Sequence, residues 1–423
     1  MPQRVVYLLG SSQVSLRFRV RIAFVLSQSL DSPSGLGRFG PLARELAKQE
    51  HAVSVFALHY DWGRLSPKRY SEQGVAIAYV GQMHVRKEGP RKLYFSPGRL
   101  LLVSLTSALR LASALWKSDA EIIQLCKPQP INALAARLGR RGRPIYCDCD
   151  DYEAATNRFS GVWQRRIVQH FEDGVISYAV GLTVNTRFTF NRFAELGYPT
   201  DRIIYVPNGV ERSRFEAPQG LASLRQRWGL DAGTPVVAYV GTLSILSHAV
   251  DLLMEAFAIV AKHFPAARLL LVGGGEDYDR LVTMAAQLGI AGQTIFAGRL
   301  PSSEIPAVLS LATVSTDPVR DDPVAAARSP LKVVESLAVG TPVVTGDVGD
   351  RRAMLDNGAL GVLVQPGDPG DLAHGLMTVL GNPAGRGQMA LADLATREAW
   401  YWDHLGVDFA RIYQDAGSDK NRR

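Results

Sequence analysis

Short, continuous runs of apolar and β-branched residues alternate with amphipathic helical segments along the whole chain. In the first half, the runs that predict strands are residues 21–27, 52–58, 75–80, 121–125, 144–149, 182–186 and 203–208. In the second half they are residues 235–241, 268–274, 294–298, 313–317, 342–346 and 361–365. Because a strand without polar alternation is buried on both faces, helices must cover each side of its sheet. The pattern therefore predicts an α/β fold with two Rossmann-like, doubly wound parallel sheets.

A polar segment rich in turn-forming residues, 213–234, separates the two sets of strands. We therefore assign residues 1–216 to a first lobe and residues 217–396 to a second, with a cleft between the lobes. Ligands of such sheets bind beyond the carboxyl ends of the strands, so site residues are expected at those edges. Residues 397–415 have a helical pattern with no strand after it, and residues 1–19 precede the first strand as an extension or a misplaced start.

Composition narrows the classes of protein to which the chain can belong. Of its 423 residues, 47% are apolar and 21% are charged, which suits packed domains and excludes a disordered chain. No run reaches the roughly 18 consecutive apolar residues of a spanning helix, and three cysteines are typical of a reducing compartment. Residues 1–216 carry 30 Lys and Arg against 18 Asp and Glu, whereas residues 217–423 carry 17 against 22. The basic first half predicts an anionic partner: a phospholipid surface, a phosphorylated acceptor or nucleic acid.

The segment AARSPLKVVESLAVGTPVV, residues 326–344, has the pattern of a capped helix followed by a strand. Ser329 is a suitable N-cap and Pro330 suits the first helical position. The amino end of such a helix offers N–H donors to an anion such as phosphate, and Lys332 and Glu335 share the face beside it. An ordinary capped helix with a surface ion pair is the alternative.

Three predicted strands of the second half end in glycine, in the segments YVGTLS, LVGGGED and FAGRL. Gly241, Gly274 and Gly298 lie at these ends, and Arg299 follows the last of them. Glycines there let a ligand approach the backbone, although tight packing of helix on strand explains them equally well. Because these ends and the amino end of the helix share one edge of the sheet, we expect them to form one phosphate site.

The segment GLGRFG, residues 35–40, matches the dinucleotide-binding pattern G-x-G-x-x-G. In a true fingerprint the strand comes directly before the first glycine, but here eight residues separate Leu26 from Gly35. This spacing argues against NAD. It favours a flexible glycine loop that lies over the cleft and opens onto a helix, with a plain turn as the alternative.

Carboxylates follow the predicted strand 144–149, where YCDCDDYE contains Asp148, Asp150 and Asp151. These side chains could form a metal site or act as a general base, and helix caps or loop-ordering hydrogen bonds explain them equally well. Lys127, in LCKPQP at another strand end of the same lobe, could meet either an anion or these carboxylates.

Residues 84–117 combine apolar stretches with seven Lys and Arg, one Glu and three aromatic residues. This composition is typical of an interfacial helix on an anionic membrane. A crossover helix of the first sheet with a basic loop is the alternative, and the two readings are compatible.

The order of these motifs strongly resembles the retaining GT-B glycosyltransferases of family 4. YVGTLS, LLLVGGGED, FAGRL, SPLKVVESLAVGTPVVTGD and GVLVQPGD resemble that family's donor lobe, and SGLGRFGPLARELA, DCDDYE and VPNGVERSRF resemble its first lobe. The resemblance covers about residues 21–415. It implies a UDP- or GDP-linked sugar in the second lobe, an acceptor in the first, and a terminal helix that crosses back to the first lobe.

The resemblance also assigns roles to residues. Glu335 would bind the donor ribose, Arg299 would lie near the base, and Gly37 would belong to the loop that closes over the donor. The full set of donor-binding residues would be Gly35, Gly37, Gly241, Thr242, Gly274, Gly298, Arg299, Ser329, Leu331, Lys332 and Glu335. The catalytic candidates are Lys332, Glu335 and Lys127, and the acceptor-side candidates are Asp148, Asp150 and Asp151. No metal or other cofactor is expected.

The chain departs from the family pattern at the positions that would meet phosphate. The family's first glutamate is Ala327 here, and its usual arginine and lysine are Thr242 and Ser247. A histidine commonly found where CKPQP stands is also missing. The cations that could meet the phosphate charge instead are Lys332, Arg328, His248 and Lys127.

These features together predict a retaining glycosyltransferase whose acceptor is lipid-linked or a polysaccharide precursor. Such an enzyme would be cytoplasmic and peripheral on the inner face of the cell membrane. A nucleotide-sugar epimerase is the nearest alternative, because it shares the two-lobed architecture. A nucleic-acid-binding module with a vestigial donor site is the other, but no recognition helix or RNA-binding signature supports a nucleic-acid partner.

Overall fold

The computed structural model describes residues 19–88, 91–156 and 161–414. All of the predicted extension 1–19 except its last residue lies outside the described residues, and so does the last residue of the predicted segment 397–415. The described chain forms two successive lobes, each built on a parallel sheet with helices on both faces. The predicted α/β class with two doubly wound lobes is confirmed.

Among the described residues, the first lobe has ten strands. They are β1 (Arg21–Leu26), β2 (Ala52–His59), β3 (Arg69–Glu72), β4 (Val75–Gln82), β5 (Val85–Glu88), β6 (Arg91–Tyr94), β7 (Ile122–Cys126), β8 (Ile145–Cys149), β9 (Gly181–Val184) and β10 (Ile203–Tyr205). Eight of them form one sheet in the order β10-β9-β8-β7-β1-β2-β4-β3, parallel except for the edge strand β3. Strands β5 and β6 form a separate hairpin.

Seven helices accompany these strands. They are α1 (Gly40–Lys48), α2 (Pro97–Lys117), α3 (Pro130–Gly139), α4 (Glu153–Thr156), α5 (Val162–Asp173), α6 (Arg187–Glu195) and α7 (Arg212–Phe215). The segment 84–117, which we expected to be an interfacial helix, is therefore a hairpin followed by a helix. The helix begins at Pro97, a residue whose fixed φ and missing N–H suit the first turn.

The second lobe has six strands, all parallel, in the order β13-β12-β11-β14-β15-β16. They are β11 (Val236–Val240), β12 (Arg268–Val272), β13 (Thr294–Gly298), β14 (Val314–Asp317), β15 (Val343–Gly346) and β16 (Gly361–Val364). Its helices are α8 (Leu221–Trp228), α9 (Ile245–His248), α10 (Val250–His263), α11 (Tyr278–Gln287), α12 (Ile305–Leu311), α13 (Pro323–Ala326), α14 (Leu331–Ala338), α15 (Arg351–Met354), α16 (Pro369–Gly381) and α17 (Pro383–Thr396). Strand β12 is almost wholly aliphatic, and four of its five residues are buried, as expected for a strand with helices on both faces.

The last helix, α18 (Trp402–Ala410), packs against α1 of the first lobe. Trp402, Leu405 and Phe409 join the core between α1 and the first sheet. The approach is close, since a Cβ at Gly406 would lie 2.6 Å from the Cβ of Glu45. After α17 the described chain therefore crosses from the second lobe back to the first.

Candidate active site

The glycine-rich ends of β11 and β12 lie against each other in the second lobe. A Cβ at Gly273 would lie 1.8 Å from the carbonyl oxygen of Gly241, and one at Gly275 would lie 2.1 Å from that of Leu243. Gly273 also has a φ of +139°, which disfavours any other residue. Packing of these loops therefore requires two of the three glycines in LVGGGED. At Gly274, the predicted donor-binding glycine, a Cβ would meet only the flexible Arg299 side chain, at 3.1 Å.

Helix α14 begins at Leu331, one residue later than predicted, so the predicted cap at Ser329 is wrong. The hydroxyl of Ser329 instead accepts a hydrogen bond from the backbone N–H of Asn208 at 3.0 Å. The Ser329 carbonyl accepts another from the Asn208 amide nitrogen at 2.8 Å. Ser329 therefore joins the two lobes and leaves the amino end of α14 without a side-chain cap.

The glycine segment of the first lobe reaches the same helix end. Gly35–Phe39 is a helical turn that leads directly into α1, where we expected a flexible loop. A Cβ at Gly37 would lie 2.4 Å from a methyl carbon of Leu331, so a larger residue there would displace the Leu331 side chain across the cleft. Gly35 has a different reason for being glycine, since its Cβ would lie 2.5 Å from the carbonyl oxygen of Ser29.

Lys332 lies beside Gly241, as the convergence of strand ends and helix predicts. Its Cε is 3.2 Å from the position of a Cβ at Gly241. Its Nζ, however, forms an ion pair of 2.8 Å with Asp317, whose other oxygen accepts from Arg351 at 2.8 Å. These two cations hold the pKa of the buried Asp317 carboxyl below its usual range. Much of the Lys332 charge is therefore already neutralised.

Glu335 does not pair with Lys332, so the alternative of a surface ion pair on this helix is wrong. Its side chain is half-buried, and no hydrogen bond to its carboxylate occurs among the residues that the structure describes. Burial raises the pKa of Glu335 to about 7, against the opposing charges of Arg214 and Lys332. The carboxylate is therefore available to accept hydrogen bonds from a ligand.

Two other candidates border this cluster after β11: Thr242, in the turn, and His248, in α9. Burial and the neighbouring charges of Lys332 and Arg328 lower the pKa of His248 far below its usual value, so its imidazole is neutral near pH 7. Before an anion binds, His248 therefore adds no positive charge to the cluster. Thr242 uses its carbonyl to accept from the Tyr239 hydroxyl at 2.8 Å.

The edge of the second sheet beyond β13 carries the remaining donor candidates. Gly298 has a φ of +69°, the left-handed conformation that favours glycine, and its carbonyl accepts from the Gly273 N–H at 2.8 Å. Arg299 is exposed beside Gly274. The structure therefore brings Gly274, Gly298 and Arg299 together, next to the strand ends that border Lys332.

In the first lobe, Lys127 meets the carboxylates that we considered as its partners. Its Nζ lies 3.1 Å from Asp150, 2.6 Å from Asp151 and 2.9 Å from Glu153. Lys127 is buried and adopts a φ of +67°, an uncommon conformation for a residue other than glycine. Burial raises the pKa of Asp150, and the Lys127 charge opposes this rise. Lys127 is thus held by three acids within its own lobe.

Asp148 is separate from that cluster and fully buried. Arg38 binds it through two hydrogen bonds of 2.6 and 2.7 Å, and the Thr183 hydroxyl donates a third at 2.5 Å. The same arginine also donates to the Val206 carbonyl at 3.0 Å. The carboxylate of Asp148 therefore orders the lobe, and it is not exposed to an acceptor.

Sequence reasoning missed four residues that shape the site: Arg38, Asn208, Asp317 and Arg351. Asp317 ends the predicted strand 313–317, so a search for acids at strand ends would have found it. Arg38 lies inside GLGRFG, where the glycines drew attention away from it. Asn208 and Arg351 carry no local signal, because their roles depend on partners that are far away in the sequence.

Proteins that resemble the chain are glycosyltransferases. Residues 222–393 match the family described as glycosyl transferases group 1, and residues 36–209 match the family described as glycosyl transferase 4-like domain. The D-inositol 3-phosphate glycosyltransferase of Nocardia farcinica is 31% identical over 253 residues, which cover 58% of this chain and 54% of that protein. The GDP-mannose-dependent alpha-(1-6)-phosphatidylinositol monomannoside mannosyltransferase of Mycolicibacterium smegmatis is 27% identical over 75% of this chain and 82% of that protein. The chain therefore spans about half of the first relative and most of the second.

Solved structures share the arrangement of the two lobes. Sucrose-phosphate synthase from Thermosynechococcus elongatus has a TM-score of 0.75 at 16% identity, and the match covers 94% of this chain and 100% of that one. Anabaena HepE, solved in complex with UDP and glucose, has a TM-score of 0.69 at 16% identity, with 93% and 100% covered. The fold is GT-B, as the sequence motifs predicted.

Proposed function

Because the chain belongs to the group 1 glycosyltransferases, we propose that it transfers a sugar from a UDP- or GDP-linked donor to an acceptor with retention of configuration. One observation carries the proposal. The uncapped amino end of α14, with Lys332 and Glu335, lies beside Gly241 and against Gly37 of the opposite lobe. A donor held there would face the first lobe directly.

The same arrangement suits the departure of a nucleoside diphosphate. Negative charge grows on a phosphate oxygen as the bond to the sugar breaks, and donors that are already fixed in place stabilise that charge. The N–H groups at the start of α14 are such donors, and the positive charge near Lys332 adds to their effect. The Glu335 carboxylate accepts no hydrogen bond from the described residues, so it would accept hydrogen bonds from the two ribose hydroxyls.

The acids of the first lobe support a mechanism without a protein nucleophile or a metal. Asp148 is bound by Arg38, and Asp150 and Asp151 are bound by Lys127. Asp150, Asp151 and Glu153 are close enough to share a metal ion, but the Lys127 nitrogen already lies among them. We therefore infer that these acids neither hold a metal ion nor act as the nucleophile. Without a protein nucleophile, the proposed retention requires the acceptor to attack from the face that the leaving phosphate vacates.

An acceptor bound to an anionic membrane fits the surface of the first lobe. Leu101, Leu102, Leu105, Leu109 and Trp116 of α2 are exposed, between 47% and 62%. Val162, Trp163 and Ile167 of α5 are also exposed, and α5 contacts α3, which in turn contacts α2. By length and composition alone α2 could also cross a membrane, but it packs on α3 and β4 within the lobe.

The location of this surface relates it to the cleft. Helices α2 and α5 begin at the carboxyl-end edge of the sheet, so their first turns lie beside the acceptor side. Arg99, Arg165 and Arg166 are exposed near these turns. Both relatives named above act on inositol derivatives, one of them a phosphatidylinositol mannoside. We propose a lipid-linked acceptor reached from the cytoplasmic side of the cell membrane, with a soluble polysaccharide precursor as the second candidate.

Transfer of label tests the proposed activity. The full chain is incubated with UDP- and GDP-sugars labelled in the sugar, together with anionic lipid extract, and each fraction is analysed. We expect label in the lipid fraction. NMR of the product should show the same anomeric configuration as in the donor. Label that stays in an epimerised nucleotide-sugar would identify an epimerase. If the protein binds an oligonucleotide and transfers no labelled sugar, the nucleic-acid module is supported instead.

A further inference from the structure

Arg328 is a half-buried cation in the loop between α13 and α14. Its guanidinium donates a hydrogen bond to the carbonyl of Ser247, in α9. Among residues 19–88, 91–156 and 161–414, no carboxylate oxygen lies within the 4.0 Å of an ion pair with Arg328. The positive charge of Arg328 is therefore not neutralised by the described protein.

The surroundings of Arg328 are also positive. Lys332 and Arg351 share one acid, Asp317, and each of its two oxygens already has one of these partners. Asp317 therefore does not pair with Arg328. The excess charge affects a neighbour, since Lys332 and Arg328 both lower the pKa of His248. A half-buried site with surplus positive charge is stabilised by an anion.

The position of Arg328 in the second lobe indicates which anion it binds. Ser247, which accepts from the guanidinium, lies in α9, shortly after the glycine end of β11 where Lys332 also lies. On the assumption that the proposed function is correct, we propose that Arg328 binds the diphosphate of the donor. Its planar guanidinium can offer two parallel N–H donors to phosphate, whereas Lys332, already paired with Asp317, has less charge to give.

This role makes Arg328 a substrate-binding residue whose contact strengthens during the reaction. The leaving phosphate gains charge in the transition state, so the guanidinium should stabilise that state more than the bound donor. The loop that carries it is fixed at both ends, because the Ser329 hydroxyl binds Asn208 and the Arg328 N–H donates to the Ala325 carbonyl at 3.4 Å. The guanidinium is therefore held in position before the donor arrives.

The test compares Arg328→Gln and Arg328→Lys with a matched control, Arg320→Gln. Arg320 also donates to a carbonyl of α9, that of Ile245 at 3.2 Å, but its charge is paired with Asp251 at 2.6 Å. Calorimetry measures binding of UDP and GDP, and of uridine and guanosine, to each folded variant. For Arg328→Gln we expect the preferred nucleoside diphosphate to bind roughly 10- to 100-fold more weakly, with the nucleoside unchanged. Arg328→Lys should recover part of the loss, and Arg320→Gln should match the parent.

Three outcomes would overturn the proposal, and they can be told apart. If the parent binds a nucleoside diphosphate and Arg328→Gln binds it within twofold, Arg328 is not the phosphate ligand, but the donor site stands. If the parent binds neither UDP nor GDP, the proposed function fails together with the inference. Equal losses for diphosphate and nucleoside, with a lowered melting temperature, would show that Arg328 is structural and would also contradict the proposal.

Discussion

At the scale of single residues, Glu335 shows how burial prepares a group for binding. Its half-buried position raises its pKa to about 7 although Arg214 and Lys332 favour the charged form. The folded protein therefore keeps a proton on Glu335 that the unfolded chain releases near pH 4.5. Stability from this group accordingly falls as pH rises from about 4.5 to 7, whereas a ribose ligand needs the deprotonated form.

We predict that the affinity for UDP or GDP rises between about pH 6 and pH 8, and that Glu335→Gln removes the part of the rise that exceeds the ionisation of the ligand's own terminal phosphate. At pH 8 the substitution should weaken binding by roughly 1.5–3 kcal/mol, as for hydrogen bonds to a charged group. The melting temperature should not fall, because the amide avoids the cost of burying a charge. Titration calorimetry at several pH values measures the pH dependence of the affinity and the loss of affinity at pH 8. An unchanged affinity at pH 8 would remove Glu335 from the donor site.

At the scale of elements, α2 has apolar residues on two opposite faces. Ser107, Ala108, Leu111, Ala112 and Leu115 face the lobe, and the exposed leucines lie on the opposite side at helical spacing. A helix of a globular domain would normally carry polar residues there. The exposed leucines therefore add little to the core and remain available to a membrane.

We predict that the triple variant Leu101→Ser, Leu105→Ser and Leu109→Ser binds anionic vesicles about tenfold more weakly, or worse, while UDP or GDP binding stays intact. Each leucine is at least 47% exposed, so the melting temperature should change little. Val282→Ser, a similarly exposed apolar residue of the second lobe, serves as the control. Vesicle sedimentation at rising salt measures the binding. Equal binding to neutral and anionic vesicles would count against a basic membrane surface.

At the scale of the whole molecule, Asp350 joins the lobes across the cleft. Its carboxylate, in the second lobe, accepts from the Arg187 N–H at 3.0 and 3.2 Å and from the Tyr205 hydroxyl at 3.1 Å. Burial raises the pKa of Asp350, and these hydrogen bonds oppose the rise. Together with Ser329 and Asn208, this contact holds the lobes in a closed arrangement.

We predict that Asp350→Ala shifts the lobes toward an open state, because it removes hydrogen bonds worth about 1.5–3 kcal/mol. Small-angle X-ray scattering should show a larger radius of gyration, which saturating UDP or GDP reduces again. Asp347→Ala, which removes only an exposed ion pair with Arg352 in the same loop, is the control. Identical scattering curves for Asp350→Ala and the parent would show that the Asp350 contact does not set the closure.

The sequence by itself determined the class of fold and the neighbourhood of the site. Apolar strands that alternate with helices can bury their surface only as parallel sheets covered on both faces, and this arrangement places every strand end on one edge. For that reason Gly241 and Lys332 could be expected to meet, and the structure brings them together. These inferences rest on local periodicity, which short stretches of sequence contain.

Only the tertiary structure decided which charges remain available to a ligand. Lys332 and Arg328 were both candidate phosphate cations in the sequence, but Asp317 neutralises Lys332, whereas Arg328 keeps its charge. Asp148 looked like an acceptor-side acid until Arg38, 110 positions away, bound it. The net charge of a site depends on partners that folding brings from distant positions and on how much water remains around them. Local sequence patterns contain neither quantity.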